Sequence, residues 1–135
     1  MDIQPTTTTE TVTADRPWLL SLHGSDANKT VTLDLSKFTA GTHYTAAANG
    51  TPNRLKSGLP LGKIAASGLY APYASGASDG TQTLAGLLYT ETAFGTGSTK
   101  VGAALLIHGD VKASKLPVAL TVPAAANRAD GLIFS

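Results

Sequence analysis

The side chains of this sequence that could do chemistry are few and far apart. Its three histidines, His23, His43 and His108, form no pair with metal-ligand spacing, and no HExxH occurs. A cation site would have to be assembled from distant segments. His108 precedes Gly109 and Asp110, two turn formers, and reads as a strand-end residue beside a turn. Hydrolysis through a covalent intermediate would need a nucleophile, a histidine and an orienting acid. Ser67, Ser75, Ser78 and Ser98 sit in glycine-rich stretches, and a small hydrolase would draw on Ser78 or Ser98 with His108. Neither "SGAS" nor "GTGST" forms the G-x-S-x-G elbow. "GTGSTK" also lacks the spacing and ending of a phosphate loop. Both stretches read better as turns. The nine carboxylates include no compelling acid–base pair, and Asp79 and Asp110 each precede a glycine, as turn residues do. With no cysteine, thiolate metal sites, cysteine nucleophiles and a disulfide framework are excluded. The expectation is a chain with no catalytic residue, no metal and no cofactor.

Composition points the same way. A chain of 135 residues suits one domain that buries roughly two-thirds of its unfolded surface. The formal net charge is +1, and only 14% of residues are charged. A nucleic-acid surface needs clustered basic residues to displace counterions. Here the lysines and arginines are scattered singly, and the few aromatics do not alternate with them, so no direct nucleic-acid partner is expected. A surface so weakly charged suits a protein that ends packed against other protein. No run approaches the roughly 20 apolar residues of a membrane span, and "MDIQPTTTTETVTADRP" is polar and acidic where a secretory leader would be apolar.

The elements that must position any site are short strands and many turns, as frequent Gly, Pro, Thr and Ala dictate. "WLLSL" (Trp18–Leu22) is the first candidate strand. "TVTLDL" alternates: Val31, Leu33 and Leu35 face one way, Thr30, Thr32 and Asp34 the other. With "HGSDANK" as turn, Trp18–Leu35 reads as a hairpin, and "AAANGTPNRLKSG" reads as a loop. In "LPLGKIAASGLYAPY", Pro60 and Pro72 imply strands that are short, bent or at an edge. "LAGLLY" (Leu84–Tyr89) is too short for a stable surface helix and is expected as a strand. It would pair antiparallel with Val101–Ile107, which is apolar enough to be buried on both faces. "VPAAANRADG" is expected as a short helix and "LIF" as a last strand. The fold class is a small mixed α/β protein, mostly β, with short strands, long loops, one or two short helices and a disordered N-terminal arm.

Residues 1–16 read as that arm and 17–135 as a single body. "PTTTTETVT" lacks the periodicity of a core segment but is strand-prone, so it suits a strand added to a partner's sheet. It also suits a loose terminus. Pro17 and Trp18 stand where the polar arm meets the first apolar run. Trp18 would anchor the arm, plug a subunit seam, or be a plain core residue, and Pro17 would set the arm's exit direction.

"LPLGKIAASGLYAPY", "ASDGTQTLAGLLYTETA", "KVGAALLIHGDVKASKLP" and the closing "ANRADGLIFS" occur in that order and resemble the head decoration proteins of tailed bacteriophages, the lambda head protein D family. The resemblance covers Trp18–Ser135, with Leu22–Arg54 extra relative to the shortest members. It implies a homotrimer on quasi-threefold sites of the expanded head, on the outer surface of the virion. There it would bind the major capsid protein and stabilise the shell. It also implies that Thr6, Thr7, Thr8, Thr9, Glu10, Thr11, Val12 and Thr13 form the capsid-binding strand of the arm. The rival readings are a virion surface adhesin or tail-associated binding module, the small hydrolase above, and a minor shell component.

Overall fold

The alternation in "TVTLDL" starts the fold: Val31 and Leu33 are buried while Thr30 and Thr32 are exposed, along strand β1 (Lys29–Asp34). The computed structural model describes residues 17–19, 28–48, 50, 52–129 and 131–134. After β1 come β2 (Tyr44–Thr45), β3 (Asn53–Leu55), β4 (Pro60–Lys63), β5 (Tyr70–Pro72) and β6 (Gly86–Leu88). Then follow β7 (Thr92–Phe94), β8 (Lys100–Leu106), β9 (His108–Val111) and β10 (Gly131–Phe134). Among the described residues the only helical pieces are three-residue 3₁₀ turns at Leu35–Lys37, Ala113–Lys115 and Ala125–Asn127. The fold is mostly β, as expected, and the expected short helices shrink to these turns.

Five strands close into a barrel in the order β1-β5-β4-β6-β8. β8 returns to β1 along an antiparallel ladder from Lys29↔Leu105 to Asp34↔Lys100, and β1 meets β5 in parallel at Leu33↔Tyr70. Strands of three to seven residues hold together here because closure pairs both sides of each and leaves no edge. A three-stranded sheet, β2-β3-β7, adds Leu55 and Phe94 to the barrel-side core, where Tyr44 meets Phe94 edge-on at 5.0 Å. β9 and β10 form a separate parallel pair.

Two cores lie on either side of the β6–β8 pair. Leu87 is opposite Leu106, and Leu88 is opposite Leu105. Successive side chains on a strand point to opposite faces. Leu88 and Leu105 therefore join Leu33, Leu55, Leu59 and Leu61 in the first core, while Leu87 and Leu106 turn to the second. The second core is completed by Trp18, Leu84, Val111 and Leu132. Val101–Ile107 is accordingly buried on both faces only near its end, at Leu105 and Leu106, and not along its length.

Several local expectations give way to long-range pairing. Among the described residues of the expected Trp18–Leu35 hairpin, the pairing goes elsewhere: Leu19 bridges Val111, and β1 pairs with β8 and β5. "HGDV" is strand β9 rather than a turn, because "GLIF" lies alongside it from Gly131↔His108 to Phe134↔Val111. "AAANGTPNRLKSG" contains β3, paired with β2 and β7. The segment from Pro123 makes only one 3₁₀ turn. Leu84 N donates to Asn127 O and Ala129 N donates to Leu84 O, at 2.8 Å each, which draws the chain out straight. β4 and β5 are short and antiparallel, but β4 is flanked by β5 and β6 and is no edge. Pro60 is tolerated as the first residue of β4. β6 and β8 are antiparallel neighbours, with β7 between them in the chain.

The glycine in "LAGLLY" is required by close approach. A Cβ at Gly86 would lie 2.5 Å from Leu106 O and 2.8 Å from Leu105 Cγ. Replacing Gly86 with alanine is expected to force β6 from β8 and cost about 1–3 kcal/mol. Urea unfolding should show a lower midpoint at unchanged slope.

Candidate functional site

Of the residues singled out for chemistry, His43, Ser67 and Ser98 take part in local hydrogen bonds. His43 Nδ1 accepts from Thr39 N at 2.8 Å, and its ring meets Phe38 edge-on at 5.6 Å. Burial, and secondarily the Lys56 ammonium, hold the His43 imidazole below its ordinary pKa of 6.5. Ser67 Oγ accepts from Leu69 N at 3.2 Å, and Ser98 N donates to Gly95 O at 3.0 Å, so both belong to turns. Asp79 Oδ1 accepts from the Thr81 hydroxyl at 2.6 Å and from Thr81 N at 3.0 Å. These bonds lower the Asp79 pKa and bear out its reading as a turn residue. His108 and Asp110 both lie on β9, and His23 is outside the described residues. Among the described residues, no three His, Asp or Glu side chains gather as a metal-holding group.

The built feature is the setting of Trp18. Trp18 is 1% exposed, whereas Pro17 beside it is exposed. The main chain is tied to β9: Lys112 N donates to Trp18 O at 2.7 Å, and Leu19 bridges Val111 antiparallel. The side chain is tied to the turn between β3 and β4, where Trp18 Nε1 donates to Ser57 Oγ at 3.3 Å. Gly58 in that turn has φ +87°, and a Cβ there would stand 2.6 Å from Trp18 Nε1. Glycine is thus required by backbone conformation and by the indole face together. Gly58 N also donates to Leu88 O at 2.6 Å, joining the turn to the barrel wall.

Thr6, Thr7, Thr8, Thr9, Glu10, Thr11, Val12 and Thr13 lie outside the described residues. Pro17 and Trp18 share a cleft of about 220 Å³ with Lys56, Ser57, Lys115 and Pro117. A larger cleft of about 440 Å³ takes in His43, Pro60, Tyr73 and the run Val118–Thr121. The sequence reading passed over that run. Its signal was a β-prone stretch bounded by two prolines, "PVALTVP".

The described residues thus present a small closed barrel with the chain's one tryptophan buried beside it. The family model that matches is Bacteriophage lambda head decoration protein D, over residues 24–132 of the 135-residue chain. The chain belongs to that family, whose members are structural components of the phage capsid. Nearly all of Leu22–Arg54, expected as extra sequence, falls within the matched span. No curated protein and no solved structure gave a match.

Two measurements check this site. Trp18→Ala should destabilise the fold by about 3–5 kcal/mol, since it empties part of the second core, and denaturant unfolding followed by circular dichroism reads the loss. The second is the titration of His43, whose folded pKa lies below the unfolded value. The unfolded chain then takes up the proton first, so the His43 contribution is complete above pH 6.5 and fades as pH falls through the folded pKa. The ¹H–¹⁵N spectrum should show His43 titrating below 6.5, with the Thr39 amide shifting at the same midpoint as its acceptor is protonated.

Proposed function

We propose that this decoration protein acts as a homotrimer on quasi-threefold sites of the expanded head, on the outer face of the shell, and stabilises it there. The major capsid protein is its partner. Thr6–Thr13 pairs as an added strand with an edge of that protein, and Pro17 and Trp18 form the anchor through which the strand holds the body. The observation that carries this reading is the burial of Trp18 at the arm's root, with its main chain bonded to β9 and its indole to the Ser57–Gly58 turn. A pull on the leader is passed to β9 and to the loop between β3 and β4.

Strand addition needs no reactive group, because main-chain hydrogen bonds supply the affinity. Each contributes a net of roughly 0.5–1.5 kcal/mol, which is weak for one arm. Three leaders on one trimer raise the avidity through effective concentration, provided that their geometry lets them engage together. Weak surface charge, +1 overall, leaves little repulsion to oppose assembly of the trimer or its seating on the shell.

The test uses the purified protein and bare expanded shells. Sedimentation should give a trimer mass, and electron microscopy should show density on the threefold positions. Deleting Met1–Val12 should leave the trimer intact and weaken shell binding sharply. A stable monomer that ignores shells would overturn the proposal, and density confined to a tail appendage would replace it with the adhesin reading.

A further inference from the structure

His43 closes a small loop that is bonded to the turn on which Trp18 sits. Between the 3₁₀ turn Leu35–Lys37 and β2, His43 N donates to Thr39 O at 2.9 Å, and Gly41 N donates to Tyr44 O at 2.7 Å. The imidazole completes the loop, because its Nδ1 accepts from Thr39 N at 2.8 Å. An acceptor at Nδ1 places the proton of the neutral imidazole on Nε2. This loop holds Lys56 at two points. Lys56 N donates to His43 O at 3.1 Å, and Lys56 Nζ donates to Gly41 O at 2.9 Å. The next two residues, Ser57 and Gly58, form the turn that seats the Trp18 indole, through the Nε1 bond to Ser57 Oγ and the bare Cα of Gly58. Consecutive contacts therefore run from His43 through Lys56 to Trp18.

We propose that the loop of residues 39–44 is an acid-released brace for the Trp18 seat: protonation of His43 opens the loop, frees Lys56 and loosens the Ser57–Gly58 turn. Two features drive the opening. A protonated imidazole donates from both nitrogens, so Nδ1–H would point at the very N–H of Thr39 from which Nδ1 accepts in the neutral form. That bond is lost, and either the imidazole turns away or the loop parts.

Nor is the new charge compensated. The charge acting on His43 is the Lys56 ammonium, which is itself positive, and the adjoining 3₁₀ turn ends in Lys37. Across the cleft of about 440 Å³, His43 faces Pro60 of β4, Pro72 of β5, and residues 73–76 and 118–121. None of these is charged, and Tyr73 is the one titratable group among them. The carboxylates of the flanking strands are engaged elsewhere. Glu91 lies 3.6 Å from Arg54 of β3, and Asp34 at the end of β1 accepts from Ser36 N and Oγ. Burial and the Lys56 charge together keep the imidazole neutral down to below pH 6.5, so the brace is intact at neutral pH and released in acid.

The consequence for the shell rests on the anchoring role proposed for Trp18 above, whereas the brace itself does not. If Trp18 anchors the leader, acid weakens the hold of the body on the shell, and His43 is the group that senses it.

The chain's one tryptophan gives a single indole N–H cross-peak, so the seat is read directly. In ¹H–¹⁵N spectra of the full-length protein from about pH 8 to about pH 4.5, that peak should shift with the same midpoint as the His43 imidazole. Amide exchange at Lys56 and Gly58, corrected for the intrinsic effect of pH, should quicken several-fold in the acid form. His43→Gln keeps a side-chain acceptor for Thr39 N and should abolish both changes, whereas His23→Gln and His108→Gln should keep them. Lys56→Met removes the bond to Gly41 O and should shrink the indole shift while His43 titrates at a higher pH. An indole peak that stays fixed as His43 titrates overturns the proposal, and so does a shift that persists in His43→Gln. If His43→Gln does not fold, the two midpoints in the native protein and the Lys56→Met variant decide. Binding to bare expanded shells should fall in acid for the native protein and hold for His43→Gln. If the indole and the exchange respond but shell binding does not, the brace stands and the anchoring role of Trp18 is what fails.

Discussion

The fold depends on one two-residue overlap, the pairing of Leu87 with Leu106 and of Leu88 with Leu105. Adjacent residues on each strand face opposite ways, so this small contact serves the barrel interior and the second core at once. Nothing larger than a hydrogen atom fits at Gly86, which lets β6 and β8 approach closely enough to build that wall. Lose the pair and the barrel opens while Trp18, Val111 and Leu132 lose the surface on which they pack. The two cores are therefore coupled, although they are contributed by different parts of the chain.

Barrel closure has a consequence for function. β1, β4, β5, β6 and β8 each have a partner on both sides, so none of them is a free edge along its whole length. The β9–β10 pair stands apart from the barrel sheet, at the periphery of the fold. Trp18 connects this periphery to the body. Its main chain is paired with β9, and its indole reaches a serine 39 positions along the sequence.

What was legible in the sequence was mostly local. Val31 and Leu33 alternate with threonines, and that period of two is enough to place β1 and its buried face. "LAGLLY" was legible as a strand because it is too short to be anything else. That its neighbouring leucines serve two cores was not legible, since burial on either face looks the same in a run of apolar residues. The misreadings have a common cause. "HGD" carries turn residues but becomes a strand because a segment some twenty residues later lies along it. "PAAANRADG" carries the caps of a helix, but Leu84 holds its end extended through two backbone bonds. Propensity loses in both cases to a partner that is remote in sequence. Trp18 stood out by position, while its partners Ser57 and Gly58 had no sequence signal beyond a glycine in a loop. The family pattern was legible because it lies in the order of segments, each of them poor in information alone.

The proposed strand addition by the leader also decides where the energetic cost of docking falls. Ordering a free segment costs about 1–2 kcal/mol per residue in backbone entropy, comparable to what each new main-chain hydrogen bond returns. A leader that met a partner alone would therefore bind weakly. Fixing its root changes the balance. The buried indole immobilises Trp18 before any partner arrives, and Pro17 restricts the exit direction. The proposed strand then starts its search tethered to a root already held by its own contacts. Under the proposed trimeric assembly, three such roots share one frame. The first leader to engage carries the cost of bringing the molecule to the surface, and the others bind at the concentration set by their tethers. Under that proposal the affinity rests on the fixed root as well as on the leader, and the root is a tryptophan buried at 1% exposure.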